Sequence, residues 1–352
     1  MNKYIIHTHF EEEYNAATKA RADINEMAAA MGFLPLVIRK RYLKGRLKNL
    51  RQIAILLSDL LGIFAKPKRN SLIFFQVPLP FAGKQTRIIY LFFRILKWAK
   101  NIKVMMMAID IDTFRRSDDM YIGEWDILRI ADGLILHTEP MLRKYRERVH
   151  WNQKVELINI FDYLSDFNPD SRERKLTNQV IFAGNLMPEK AGFINELGKV
   201  GTGTVFNLYG RPEFESDSPD VRYMGSAPSE EIIHVIEGSF GLVWDGHSID
   251  TCSHEIGKYL EINCPSKTSL YLAAGLPVII WKKAAMAELI EGNNLGFAVD
   301  NLREISGIIS NMSEYDYNRM RKNVLEYSSR LSKGWFFRDA VRRLTDSMYE
   351  KV

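Results

Sequence analysis

The hydrophobic pattern alternates between short apolar runs and longer stretches in which apolar residues return every three or four positions. This is the grammar of strands followed by helices. The chain opens with a short strand at Tyr4–His7, then a polar loop and a helix through about Met31. The run RKRYLKGRLKNLRQIAILLSDLLGIFAK places leucine and isoleucine at helical spacing with lysine and arginine between them. SLIFFQ at 71–76 reads as a strand broken by Pro78 and Pro80. TRIIYLFFRILKWAKN, over 86–101, is a second basic amphipathic helix. KVMMMAID is almost wholly apolar, as expected of a strand covered on both faces. A helix near 122–131, GLILH at 133–137, a helix after Pro140 and KVELINI at 154–160 complete the first half.

The stretch LSDFNPDSRERKLT is polar, charged and interrupted by Pro169. It separates a first domain, 1–165, from a second, 178–332, through a linker at 166–177. A closing helix over 333–352 could cross back to the first domain. The second half repeats the alternation: QVIFAGNL, VFNLYGRP, VRYMGS, FGLVWDG, a helix at 266–274, LPVIIW, a helix at 284–291, GFAV and further helices. The predicted fold class is therefore α/β, with two Rossmann-like, doubly wound domains facing a central cleft. Ligands in such sheets lie beyond the carboxyl ends of the strands.

Composition changes this picture in two places. Apolar residues make up 46% and charged residues 26%, a globular profile, and no window approaches the roughly 18 apolar residues of a membrane-spanning helix. The start, MNKYIIHTHFEEE, has too short an apolar stretch for a secretory signal. With two cysteines, Cys252 and Cys264, a reducing cytoplasm is the expected compartment. Charge is uneven: residues 1–165 hold 27 Lys and Arg against 17 Asp and Glu, and the remainder 21 against 26. Over 36–103 the balance is 16 basic residues to one acidic residue, Asp59. Such a field attracts polyanions, either anionic lipid or nucleic acid. No nucleic-acid motif or aromatic platform accompanies it, so no nucleic-acid partner is expected. The two basic amphipathic segments, 39–69 and 86–103, fit a chain lying on the inner face of an anionic membrane.

The most informative chemistry is NCPSKTSLYLAAGLPVII, over 263–280. Pro265 suits a helix start, and Ser266, Lys267 and Thr268 then present free N–H groups, hydroxyls and an ammonium to a diphosphate. An ordinary helix-to-strand connection with a solvated lysine accounts for the same residues. Gly184-Asn185, at a strand end, lets backbone approach a ligand or simply turns the chain. Asp245, closing FGLVWDG, could accept hydrogen bonds from sugar hydroxyls or serve as a turn residue. Asp250, Glu255 and Tyr259 lie on the loop before the 266–274 helix.

The run PSKTSLYLAAGLPVI resembles a segment of GT-B glycosyltransferases. FGLVWDGHSIDTCSHEIGKYLEINCPSKTSLYLAAGLPVIIWKKAAMAELIEGNNLGFAV, with the closing KGWFFRDAV, is similar to the bacterial β-1,6-galactofuranosyltransferases of O-antigen and capsule assembly. It is more distantly similar to the glucosyltransferase of streptococcal adhesin glycosylation. The resemblance is good over about 178–345 and patchier over 1–165. It implies inverting transfer from a UDP-sugar to a sugar hydroxyl of a glycan or lipid-linked glycan. It also implies an enzyme peripheral to the inner membrane face, with galactofuranose the best donor guess and UDP-glucose or UDP-galactopyranose the alternatives. Lys267 matches the family lysine on the donor diphosphate, Gly184-Asn185 the family Gly-Asn, and Tyr209 an aromatic near the uracil. The adhesin glucosyltransferase has an arginine after the Gly-Asn; here the nearest bases are Lys190 and Arg211.

Inverting transfer needs a base on the acceptor hydroxyl. Asp110 and Asp112, ending an apolar strand, are the expected candidates; a helix cap or a salt bridge to Arg115 or Arg116 is the structural alternative. Asp110-Ile111-Asp112 is also a literal D-x-D, which in GT-A enzymes holds a divalent metal. That reading leaves the 266–274 helix start unexplained, and neither a metal nor another cofactor is expected. Lys19, Arg21 and Asp23 follow the first strand and are expected to bind acceptor, or else to form an exposed helix face. His247, Cys252 and His254 match no zinc spacing. A non-catalytic sugar-nucleotide-binding subunit remains the alternative from outside enzymology, and a homo-oligomer stays open.

Overall fold

The computed structural model describes all residues except 11–15, 42, 82, 116–122, 202 and 351–352. The chain divides into two compact units: residues 1–137, 144–158 and 337–352 form one, residues 138–143 and 159–336 the other.

The first unit holds β1 (Lys3–Phe10), β2 (Leu34–Lys40), β3 (Leu72–Val77), β4 (Lys103–Ala108), β5 (Gly133–Leu136) and β6 (Lys154–Leu157), all parallel, in the order β2-β1-β3-β4-β5-β6. Its helices are α1 (Ala16–Ala30), α2 (Lys48–Ala65), α3 (Lys84–Lys100), α4 (Asp112–Arg115) and α5 (Glu124–Leu128); α6 (Glu139–Arg148) joins β5 to β6. The strand β2 lay hidden in the sequence because Pro35 breaks its apolar run. Proline is tolerated there because β2 is the sheet edge. β3 and β4 are buried along nearly their whole length, as strands covered on both faces must be. Successive side chains show it: Phe74 meets Phe33 and Phe337 edge-on at 5.9 and 5.6 Å, whereas Phe75 meets Phe93 of α3 at 4.4 Å. With right-handed crossovers, the opposite directions of the β1→β2 and β2→β3 steps lay α1 on one face and α2 and α3 together on the other.

The second unit holds β7 (Gln179–Asn185), β8 (Val205–Arg211), β9 (Val221–Tyr223), β10 (Phe240–Val243), β11 (Val278–Trp281) and β12 (Gly296–Val299), again parallel, in the order β12-β11-β10-β7-β8-β9. Its helices are α7 (Pro188–Ala191), α8 (Ile232–Val235), α9 (His254–Lys258), α10 (Ser266–Ala273), α11 (Ala287–Gly292), α12 (Glu304–Ser310) and α13 (Glu314–Leu331). Residues 166–177 are held to this unit: Arg172 and Arg174 donate to the carbonyls of His234, Ile236 and Gly238. The last helix, α14 (Trp335–Tyr349), lies with the first unit from Phe337 onward. Gly133 makes room there, since a Cβ would sit 2.4 Å from Met348 Sδ.

In each sheet the strand order reverses once, between β1 and β3 in the first unit and between β7 and β10 in the second. A crevice opens outside the carboxyl ends of the strands at such a reversal.

Candidate functional site

At the second reversal, α10 is almost wholly buried and presses against β10. Gly241 allows this: a Cβ there would fall 2.1 Å from the Tyr271 ring. The Tyr271 hydroxyl accepts a hydrogen bond from Ala183 N–H at 2.8 Å, which ties α10 to the end of β7. Burial raises the phenol's pKa well above its ordinary value, so it stays protonated.

Lys267 stands one turn earlier on the same helix face. Its stem passes over Gly184, where a Cβ would lie 3.0 Å from Lys267 Cε. Its ammonium donates to Asp245 Oδ1 at 2.6 Å and to Trp244 O at 3.2 Å, and it sits 4.6 Å from the centroid of the Phe182 ring. Both side chains of the ion pair are 9% exposed. Burial lowers the lysine's pKa, Asp245 opposes that, and Lys190 adds to the lowering. The loop that aims Asp245 needs two glycines. Gly246, at φ +109°, would bring a Cβ within 2.8 Å of Ser253 O, and Gly257 would bring one within 2.9 Å of Asp245 O. Beneath them Gly210, at φ +149°, lies so close that a Cβ would stand 1.8 Å from Gly184 O.

The start of α10 is uncapped. Pro265 occupies the N-cap position and offers no side-chain acceptor, Ser266 is exposed, and Thr268 N–H bonds only Pro265 O at 3.0 Å. The buried Thr268 Oγ1 has no hydrogen-bond partner. Unpaired first-turn amides and the helix dipole leave roughly half a positive charge at this end. The lysine–aspartate pair is neutral as a whole, so this helix end is, with Lys190, an uncompensated positive element beside it.

The remaining expected residues lie around this core. Asn185 turns the chain by accepting from Met187 N–H at 2.8 Å. Lys190, on α7, is half-buried, and its carbonyl accepts from Gly246 N–H at 2.8 Å. Arg211 is exposed at the end of β8 and reaches Ser226 Oγ at 3.3 Å. Tyr209 is buried, its hydroxyl accepting from Glu237 N–H at 3.0 Å.

At the first reversal, Arg21 of α1 donates to Pro78 O, just past β3, at 2.5 Å. Burial pulls its guanidinium down to about 10, while Asp110 and Asp112, beyond β4, push it back up. Asp110 also meets Arg115 at 3.6 Å, and Arg116 lies outside the described residues. Asp112 opens α4, whose first amides are capped by Glu124: Asp112 N–H and Thr113 N–H donate to its carboxylate at 2.8 and 3.0 Å. Lys19 and Asp23 form a buried i,i+4 pair, with both carboxylate oxygens within 3.0 Å of the ammonium. Among the described residues no three His, Cys, Asp or Glu side chains converge into a group that could hold a metal ion.

Two family models match nearly the whole chain: the glucosyltransferase 3-like N-terminal domain over residues 2–164 and the C-terminal domain over 180–344. The β-1,6-galactofuranosyltransferase WbbI of Escherichia coli K12 is 35% identical over 275 residues, covering 76% of this chain and 78% of that protein. The chain belongs to the glucosyltransferase 3-like family. Glucosyltransferase 3 of Streptococcus parasanguinis is 27% identical over 72% of each chain. An α-glucosyltransferase solved in complex with UDP shares the fold at a TM-score of 0.62 and 13% identity, covering 99% of this chain and all of that one. The chain is a glycosyltransferase of GT-B fold.

Several residues of this glycosyltransferase's second crevice carry no sequence signal of their own. Phe182 and Tyr271 read as ordinary core aromatics, yet one faces the lysine ammonium and the other fixes the strand end. Gly210 followed an apolar strand like any turn glycine. Its spacing to Gly184 through the β7–β8 register is visible only once the sheet is formed.

Proposed function

We propose that this enzyme transfers a hexosyl residue, with galactofuranose the first choice, from a UDP-sugar to a sugar hydroxyl of a surface-polysaccharide or lipid-linked glycan. The observation that carries the donor side is the meeting of Gly184, the Lys267–Asp245 pair and the uncapped start of α10 at a strand-order reversal. The diphosphate is met by the first amides of α10 and the Ser266 hydroxyl. Lys267 uses two of its three protons on Asp245 and Trp244 O, which leaves one to direct at a phosphoryl oxygen. Lys190 and Arg211 supply further positive charge at the rim, and Tyr209 stiffens the β8 end under the base. No metal is required in this scheme. The acceptor oxygen attacks the anomeric carbon from the face opposite the diphosphate, the bond to the diphosphate oxygen breaks, UDP leaves and the anomeric centre inverts, while Asp110 or Asp112 takes the acceptor proton. Lys19, Arg21 and Asp23 organise the acceptor side. The likeness to WbbI supports galactofuranose; the likeness to glucosyltransferase 3 supports UDP-glucose as the second reading.

A donor screen tests this directly. UDP-galactofuranose, UDP-galactopyranose and UDP-glucose are offered with an alkyl glycoside acceptor, with and without EDTA. Turnover with UDP-galactofuranose, unchanged by EDTA, is expected. Either Asp110→Asn or Asp112→Asn should lower kcat by 100-fold or more, on the order of what a general base contributes. Normal turnover in both variants removes the base assignment, and dependence on a divalent metal removes the helix-end account of the diphosphate.

A further inference from the structure

Helices α2 and α3 each carry one buried stripe and a second, exposed apolar stripe. Gln52, Leu56, Leu60 and Ile63 of α2, and Thr86, Ile89, Phe93 and Leu96 of α3, are buried. Roughly 100° around α2 from that buried stripe, Leu50, Leu57, Leu61 and Phe64 follow one another in steps of seven, four and three residues, which puts them on one stripe. All four are exposed, Leu61 at 73%. α3 repeats the arrangement with Leu91, Ile95 and Trp98, the last at 87%. The helices are neighbours: Phe64 meets Phe92 edge-on at 6.5 Å, and Lys100 donates to Phe64 O. Apolar stripes of this extent on adjoining helices mark a covered surface rather than a solvated one.

The surroundings say what covers it. Lys48, Arg51, Lys66, Lys84, Arg87 and Arg94 are all exposed around the stripes. Asp59, the one acidic residue of 36–103, is bound by Arg39 at 2.5 Å. Trp98 borders a groove of about 560 Å³ whose other walls include Arg94, Lys97 and Arg129. No described helix is long and apolar enough to cross a membrane. We propose that this face docks on an anionic phospholipid bilayer. Leu57, Leu61, Leu91, Ile95 and Trp98 enter the interfacial layer while the surrounding lysines and arginines contact headgroup phosphates. An indole, apolar in body and polar at its N–H, suits that layer. A second copy of the same face is a poor occupant, because a two-fold pairing would set two basic rims against each other.

The full chain is sedimented with vesicles of phosphatidylcholine alone and of phosphatidylcholine mixed with phosphatidylglycerol. Binding to the mixed vesicles should be at least roughly tenfold tighter and should weaken with salt. Binding should shift tryptophan emission to the blue, and the shift should vanish in Trp98→Phe. Leu57→Asp/Leu61→Asp and Arg87→Gln/Arg94→Gln should each weaken binding by roughly tenfold, while thermal stability and transfer to a soluble acceptor hold, since these side chains are exposed. Equal affinity for neutral vesicles, no affinity for either, or an emission shift that survives Trp98→Phe overturns the proposal. So does a dimer that Leu57→Asp/Leu61→Asp converts to monomer, which would make a second copy the occupant.

Discussion

The two strand-order reversals use the same topological device with different materials. At the first, a half-buried arginine faces two carboxylates and a strand-end carbonyl, and charge does most of the positioning. At the second, one buried lysine and one buried aspartate pair off, and missing side chains do the positioning: Gly184, Gly210, Gly241, Gly246 and Gly257 each admit a neighbour that a Cβ would exclude. The lesson is that a crevice shaped by close backbone approach tolerates fewer substitutions than one shaped by charge. The charged crevice, at the first reversal, can relax around a lost contact. The glycine-shaped crevice, at the second reversal, has no room in which to do so.

The sharpest way to break this contrast is Gly210→Ala. Its Cβ would stand 1.8 Å from a backbone oxygen at φ +149°, so neither contact nor backbone can relax cheaply. The expected loss exceeds about 4 kcal/mol, in the range that marks a named structural fault. Thermal unfolding should show a fall of about 10 °C or more, or no folded protein at all. Gly32→Ala, in the first unit, is the control. Gly32 also has positive φ (+83°), but a Cβ there meets nothing within 4 Å. It should cost only about 1 kcal/mol. Equal costs at the two positions would dissolve the distinction.

The buried ion pair gives the next largest effect. Lys267→Met removes the partner of a buried carboxylate and should cost about 3–5 kcal/mol. Lys267→Met/Asp245→Asn should recover a good part of that stability, because the uncompensated charge is gone, but not UDP affinity. Isothermal titration with UDP on both variants separates the roles. UDP affinity equal to that of the parent chain in the double variant would show that the lysine only braces the loop.

Much of this was legible before the structure. Strand and helix alternation gave both sheets, and the run from Pro265 to Ile280 gave the helix whose start defines the second crevice. Three things were not legible, each for a physical reason. β2 was obscured because an edge strand can hold Pro35, which a pattern search reads as a break. The Lys267–Asp245 pair was invisible because 21 intervening residues separate lysine and aspartate along the chain until α10 packs against β10. Sequence alone therefore points Asp245 toward a sugar and Lys267 toward a phosphate, and is silent on their contact. The outward leucines of α2 register in the sequence as amphipathic periodicity, but periodicity alone does not say that two stripes rather than one are apolar.

The smallest effect probes the first unit's charges through pH. His137, just past β5, is buried, and its Nε2 lies 2.9 Å from Ala108 O, so the neutral ring donates its proton there. Burial lowers its pKa below the ordinary 6.5, and Asp110 and the backbone at Ala108 and Ile109 only partly oppose that. Between the folded value and about 6.5, the unfolded chain takes up a proton that the folded chain refuses. Folding stability therefore falls as pH drops below about 6.5 and continues to fall until the folded value is reached. One such group contributes a slope no steeper than about 1.4 kcal/mol per pH unit. His137→Gln keeps a donor for Ala108 O and removes the titration. Denaturant unfolding of both proteins between pH 7.5 and 5 should show a shallower acid loss in the variant. The same slope in both would mean that this imidazole does not set the acid sensitivity of the first unit.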